Sequence, residues 1–308
     1  MSVTVVGSLN EDVLVAVGRL PGRGETVIGR SAAVAPGGKG ANQAAAAGRL
    51  GGGVHMVGRV GEDPAGDRQL AALAGSRVNV SQVHRTRGVP TGSATIPVED
   101  GTGENLIVVV PGANGQLVPD DADVESVRRA TVLLLQLEVP LPTVEAAARA
   151  TTGTVVLTPA PPQPLPATLL DLVDVLVPNE HELAQLTGAD PGERSPAELA
   201  ALARSVAGCS VVVTLGGRGA LLVRRDGTPA LLQAPPPVTA VDTTGAGDCF
   251  CGALAQSLAG GAELPDAVRY AVTAAALSTT GPGARGALPD DDAVRALLSR
   301  APAAEPVG

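Results

Sequence analysis

Aromatic side chains are almost missing from this 308-residue chain, which has one Phe, one Tyr and no Trp. Phe250 and Tyr270 alone cannot supply the stacking platforms that hold single-stranded nucleic acids. The interior must be built from Val, Leu, Ile and Ala instead. Positive charge is scarce as well. There are 22 Lys and Arg against 31 Asp and Glu, a net charge of −9. No nucleic-acid partner is therefore expected, because such binding draws on basic patches. An anionic small molecule is not excluded, since helix N-termini and single lysines can hold one. The three cysteines, Cys209, Cys249 and Cys251, are too few and too oddly spaced for a disulfide framework. Cys249-Phe250-Cys251 is a C-x-C, and His55, His84 and His181 are scattered, so a zinc site is not expected. No apolar run reaches membrane-spanning length, and no basic-then-apolar leader opens the sequence. The expected location is cytoplasmic, with no membrane partner.

What is present is a chain that is 44% hydrophobic and 17% charged, as globular proteins are. Its length fits one large α/β domain with additions or two small domains, and a single domain spanning residues 1–308 is expected. After about residue 130, apolar strands such as "ATVLLLQLE", "TVVLTPAP" and "CSVVVTLGG" alternate with helical stretches such as "TVEAAARATT" and "SPAELAALARSV". Near-continuous apolar strands between helices predict a doubly wound, mostly parallel sheet with helices on both faces. Earlier strands alternate polar and apolar residues and do not suit that sheet. They predict a small separate β layer, inserted at about 13–36 and 92–112. "PGRGETVIGRSAAVAPGG" reads as a strand pair broken by glycine. "TGSATIPVEDGTGENLIVVVPGAN" reads as a hairpin around Asp100-Gly101.

Four stretches could carry chemistry. "DTTGAGDCFCGAL" (242–254) places Gly245, Ala246 and Gly247 at a helix start, directly before Asp248. Free N–H groups and the helix dipole make such a start an anion hole. A plainly capped helix explains the same residues equally well. "APGGKGANQAAAAGRLGG" (35–52) sets Gly38, Lys39, Gly40 and Asn42 at another helix start. It is not a Walker A loop, because Gly40 stands where Ser or Thr is required. "PNEHE" (178–182) puts Asn179 and Glu182 just after an apolar strand, where α/β proteins bind ligands, though both could simply cap a helix. "VVVTLGGRGALL" (211–222) is a strand, a glycine turn and a strand, serving either as a hairpin or as a nucleotide loop. A dinucleotide-like pattern at Gly281, Gly283 and Gly286 follows a helix, not a strand, and is set aside.

Taken together, "PGGKGANQAAAAGRLGG" and "DTTGAGDCFCGAL" resemble the two signature segments of the ribokinase-type carbohydrate kinases. "GSLNED", "QLEVP", "PNEHE" and "TLGGRG" fall around them in the family's order, from about residue 3 to residue 290. The resemblance implies a β lid over a sugar, phosphoryl transfer from ATP with Mg²⁺, and a homodimer formed through the lids. It implies D-ribose phosphorylated at its 5-hydroxyl. The alternatives are a 2-deoxyribose, fructose or nucleoside kinase, or a sugar-binding regulator without catalysis. By the same resemblance Asp248 is the catalytic base, and Gly245, Ala246 and Gly247 form the anion hole. Asn10, Asp12, Gly38, Lys39, Gly40, Asn42 and Glu138 surround the sugar. Asn179 and Glu182 lie near the phosphates and Mg²⁺. Thr214, Gly216, Gly219, Gly247 and Val272 meet the nucleotide. A monovalent cation, expected to be K⁺, would be held mostly by backbone carbonyls of Asp242, Thr244, Ser278, Gly281, Gly283 and Ala287. Ala287 stands where the family often has a serine ligand, so K⁺ binding is expected to be weaker. Val272 stands where relatives place a His or Asn beside adenine, so base selectivity is expected to be loose.

Overall fold

The computed structural model describes residues 2–190, 192–206 and 208–307. Its strands, in chain order, are β1 (Val3–Val6), β2 (Asn10–Val17), β3 (Gly29–Gly37), β4 (Val54–Gly61), β5 (Val78–Thr86), β6 (Gly92–Glu99), β7 (Val108–Val110), β8 (Val132–Leu135), β9 (Thr154–Leu157), β10 (Val175–Leu176), β11 (Ser210–Thr214), β12 (Ala220–Val223), β13 (Ala230–Gln233) and β14 (Glu305–Val307). Ten of them form one sheet in the order β14-β13-β12-β11-β10-β9-β8-β1-β4-β5. From β11 to β5 every neighbouring pair is parallel, and β12 to β14 add an antiparallel edge.

Strand alternation sends side chains to two cores. On one face Val5, Met56 and Leu134 pack against Ala44, Leu254 and Ala271 of the helices Lys39–Leu50, Ala246–Ala259 and Leu264–Ser278. On the other, Val6, Leu133, Leu135 and Leu157 meet Val144, Leu183 and Leu199 of the helices Leu141–Ala150, Glu180–Thr187 and Pro196–Ser205. Central strands buried on both faces are what an unbroken apolar sequence encodes.

A second sheet of four strands has the order β3-β2-β6-β7. β6 and β7 form the antiparallel hairpin read from the sequence, with Ser93 opposite Val110. The strand pair expected between residues 21 and 38 is a single strand, β3; the glycine- and proline-bearing stretch before it is not paired. β5, β13 and β14 were not legible. β5 ("VNVSQVHRT") lies at the sheet edge and is half solvent-facing, so its apolar signal is diluted. β13 and β14 are antiparallel additions of four and three residues.

Candidate active site

Two helices start face to face. The Lys39–Leu50 helix packs along the Ala246–Ala259 helix through small residues. At Gly252 a Cβ would lie 2.6 Å from the Gln43 carbonyl oxygen and 2.8 Å from the Ala46 Cβ, so only glycine allows the approach. Gly252 is one turn beyond Asp248, and Ala46 is one turn beyond Asn42. The contact therefore sets Asn42 and Gln43 against Asp248. Asn42 Nδ2 donates to Asp248 Oδ2 at 3.0 Å, and Gln43 Nε2 donates to Oδ1 at 3.2 Å.

The start of the Asp248 helix has the features of an anion hole. Gly245 is its N-cap at φ 74, a left-handed conformation. A Cβ there would also sit 2.7 Å from Ala284, so the residue is doubly restricted to glycine. Ala246 N–H bonds the Thr243 carbonyl. The N–H groups of Gly247 and Asp248 have no acceptor among the described residues, as the first turn of a helix dictates. Space is open beside Gly247.

A second group of residues converges from the carboxyl ends of β1 and β8, the crevice where open α/β sheets take ligands. Glu138 accepts the N–H of Lys39 at 3.0 Å and the hydroxyl of Ser8 at 2.5 Å, so it fixes the start of the Lys39–Leu50 helix. Gly38 is the N-cap of that helix, and Gly40 N–H donates to Ser8 Oγ. Asn10 is buried, and its Oδ1 accepts from Asn114 Nδ2 at 2.7 Å. Asp12 lies on β2, and its carboxylate is held against Gly37.

Charges are concentrated here. Burial, supported by Glu138, pushes the Asp12 carboxyl up to about 6, with Arg285 and Lys39 pulling the other way. Burial also raises Asp248, against Lys39 and the two amides. Burial disfavours the Lys39 ammonium, but Asp248, Glu138 and Glu182 outweigh it and hold its pKa above the ordinary lysine value. A carboxylate raised toward neutrality beside a retained ammonium suits proton abstraction next to an anionic group.

A cavity of about 710 Å³ opens on the other side of the Asp248 helix start. Asn179, Thr214, Gly216, Gly219, Gly247 and Val272 all line it, as do Pro235, Pro236, Pro237 and Phe250. One of the chain's two aromatics, two residues after Asp248, thus forms part of this wall. Glu182 is not among the lining residues. It forms a reciprocal cap with Asn179: Asn179 N–H donates to Glu182 Oε2, and Glu182 N–H donates to Asn179 Oδ1, both at 2.8 Å. The capping reading of these two residues is therefore correct as geometry. Burial nevertheless raises the Glu182 carboxyl, with Asn179 and Lys39 opposing, which places it in the field of the same charged cluster.

The segments 242–244 and 278–287 meet. Asp242 accepts Thr244 N–H at 2.8 Å and Gly283 N–H at 2.7 Å, so both carboxylate oxygens are engaged. The Thr279 carbonyl accepts the N–H groups of Val241 and Asp242. A Cβ on Gly281 would meet Ala287 at 2.9 Å. The Ser278 hydroxyl donates back to the Ala275 carbonyl. These loops offer a cation backbone carbonyls and threonine hydroxyls beside the Asp242 carboxylate, and among the described residues no group of three or more His, Cys, Asp or Glu could hold a metal.

Residues that sequence reasoning passed over complete the site. Gln43 had a visible signal, being a second amide in an otherwise Ala-rich buried helix. Its Oε1 accepts from Gln136 Nε2 at 2.6 Å. Asn114 and Arg285 had none, because each reaches the site from more than 100 positions away along the chain.

The arrangement as a whole has a counterpart in sequence: the pfkB family carbohydrate kinase profile matches residues 1–291. The chain belongs to this family. A pfkB relative, the ribokinase of Bacillus subtilis, is 37% identical over 97% of this chain and 99% of its own length. The deoxyribokinase of Salmonella typhimurium is 34% identical over 97% and 99%. The structure of Arabidopsis thaliana ribokinase with ribose and ATP superposes with a TM-score of 0.86 at 36% identity, covering 96% of this chain and 98% of the other. The expected ribokinase-like α/β fold with its separate small sheet is thereby established, as is membership among the carbohydrate kinases.

Proposed function

We propose that this pfkB kinase phosphorylates D-ribose at its 5-hydroxyl with ATP. The carrying observation is the pairing of Asp248 with the free Gly247 and Asp248 N–H groups at one helix start, between a charged pocket and a nucleotide-sized cavity. The sugar sits among Asn10, Asp12, Gly38, Lys39, Asn42 and Glu138, and ATP lies along Asn179, Thr214, Gly216, Gly219 and Val272. Asp248 accepts the proton of the primary hydroxyl while its oxygen forms the new bond to the γ-phosphorus. The bond from that phosphorus to the bridging oxygen of ADP breaks. The free N–H groups, the helix dipole and Lys39 stabilise charge on the transferring group. Glu182 Oε2 is used by the cap, but Oε1 has no donor among the described residues and suits a Mg²⁺ held through water. When bound, that ion would neutralise charge on the phosphates. Val272, Ala275 and Ala276 present no polar side chain to a base edge, so the purine is selected weakly.

Ribose, 2-deoxyribose, fructose and adenosine compared in a coupled ADP assay test the assignment. Ribose should give the highest kcat/KM. A clear preference for 2-deoxyribose would move the chain beside the deoxyribokinase relative. ADP release that is indifferent to sugar would remove the kinase reading.

The small sheet would act as a lid that excludes water, which otherwise competes as acceptor. Its edge strand β7 and the residue before it are apolar and exposed: Ile107 is 60% exposed, Val108 61% and Val110 53%. Contiguous exposed apolar surface marks association, and we assign this surface to a homodimer. Sedimentation should show a dimer at micromolar concentration, and Val108→Lys should shift it toward monomer. A wild-type monomer would exclude the assignment. A cytoplasmic location accords with ATP as donor and with three free, buried cysteines.

K⁺ would bind to the carbonyls of the joined loops at Asp242, Thr244, Ser278, Gly281, Gly283 and Ala287. At fixed ionic strength K⁺ should activate, and Na⁺ less so. Ala287→Ser should lower the K⁺ concentration required. Equal rates in K⁺, Na⁺ and tetramethylammonium would eliminate the ion from the scheme.

A further inference from the structure

Asp248 is held by two side-chain amides, and an amide can present either end. Each is oriented by a donor from a different part of the fold. Gln43 is set by Gln136, whose Nε2 donates to Gln43 Oε1, leaving the Gln43 NH₂ to face Asp248. Asn42 is set by Arg285. Arg285 Nε donates to Asn42 Oδ1 at 2.8 Å, and the Asn42 NH₂ then faces Asp248. A guanidinium has no acceptor, so it can bind only the carbonyl end of the amide.

The same guanidinium reaches the root of the small sheet. Nη2 donates to the carbonyl of Gly37, the last residue of β3, at 3.1 Å, and it lies 3.5 Å from Gln69 Oε1. Gln69 Nε2 in turn donates to the Gly37 and Asn10 carbonyls. Arg285 Nη1 is buried with no partner among the described residues. Burial pushes Arg285 down to about 10, with Asp248 and Asp12 opposing, so it stays charged at neutral pH. A buried cation with an unused N–H is costly to keep for structure alone.

We infer that Arg285 is a positioning residue for phosphoryl transfer: it fixes the Asn42 amide toward Asp248 and ties that alignment to the base of the small sheet. It touches neither reacting atom. Its effect on the base passes through Asn42, and the bond to the Gly37 carbonyl holds the guanidinium in place for that contact.

This inference rests on the proposed ribose kinase activity, and a double-mutant cycle tests it. Arg285→Met, Asn42→Ala and the combined variant are assayed beside the wild type with ribose and ATP. Arg285→Lys keeps the charge without the forked geometry and serves if Arg285→Met does not fold. Arg285→Met should lower kcat by roughly tenfold, as loss of one charged hydrogen bond does. KM for ATP should stay within about twofold, since Arg285 lies outside the nucleotide cavity. The combined variant should be no slower than Asn42→Ala, because both changes break one linkage. Arg285→Lys should fall between the wild type and Arg285→Met. Losses that multiply in the combined variant, or a folded Arg285→Met or Arg285→Lys with wild-type kcat, overturn the inference. A wild-type protein inactive on every sugar would instead overturn the activity beneath it.

Discussion

Asp248→Asn should leave a folded protein that binds ATP normally and phosphorylates ribose about 10²–10⁴ times more slowly, the usual loss for a general base. The substitution is nearly isosteric, so the packing of Gly252 against Ala46 is kept. The hydrogen bonds from Asn42 and Gln43 are weakened, because an amide offers one acceptor oxygen where the carboxylate offered two. The Gly247 N–H group is unchanged, so ATP affinity should hold. The measurement is kcat with ribose alongside ATP binding by calorimetry. A folded variant with near-normal kcat would take the base assignment away from Asp248.

The second large effect belongs to Asp12. Its carboxylate can accept hydrogen bonds from two neighbouring sugar hydroxyls, each worth roughly 1.5–3 kcal/mol when one partner is charged. Asp12→Ala should therefore raise KM for ribose by about 10²-fold or more and leave ATP binding nearly unchanged. The pH profile adds a separate check. Burial and Glu138 bring Asp12 to about 6, so in the free enzyme it loses its charge as the pH falls through that value. Only the charged form accepts from both hydroxyls. Wild-type kcat/KM for ribose should then decline below about pH 6, while at higher pH the carboxylate form dominates. The Asp12→Ala variant should lose the part of this limb that Asp12 contributes and keep only that of the Asp248 base. An unchanged ribose KM would place the sugar elsewhere.

Much of this was legible in the sequence because it is written locally. The apolar strands β8, β9 and β11 announce a sheet covered on both faces. Gly245-Ala246-Gly247-Asp248 shows a helix start and its carboxylate within four positions. Residues lining the large cavity follow the same pattern: Thr214 ends β11, Gly216 and Gly219 form the turn after it, and Asn179 caps the helix that follows β10. What the sequence hides is the set of contacts made by folding. Arg285 has an ordinary Gly-rich neighbourhood, and nothing near it marks a side chain that crosses to Asn42. Asn114 satisfies the N–H and C=O of Leu9 and then Asn10, a role set entirely by where β1 ends. Glu182 shows the opposite case. Its local signal as a helix cap is real, and its electrostatic place beside Lys39 appears only in three dimensions.

The most direct test of the account is ³¹P NMR of the product formed from D-ribose and ATP. Transfer to the primary hydroxyl under Asp248 predicts ribose 5-phosphate, its phosphorus coupled to the two protons on C5, with ADP formed in equal amount and little inorganic phosphate. Phosphate on the anomeric oxygen, or inorganic phosphate accumulating with ADP and no sugar ester, would contradict it.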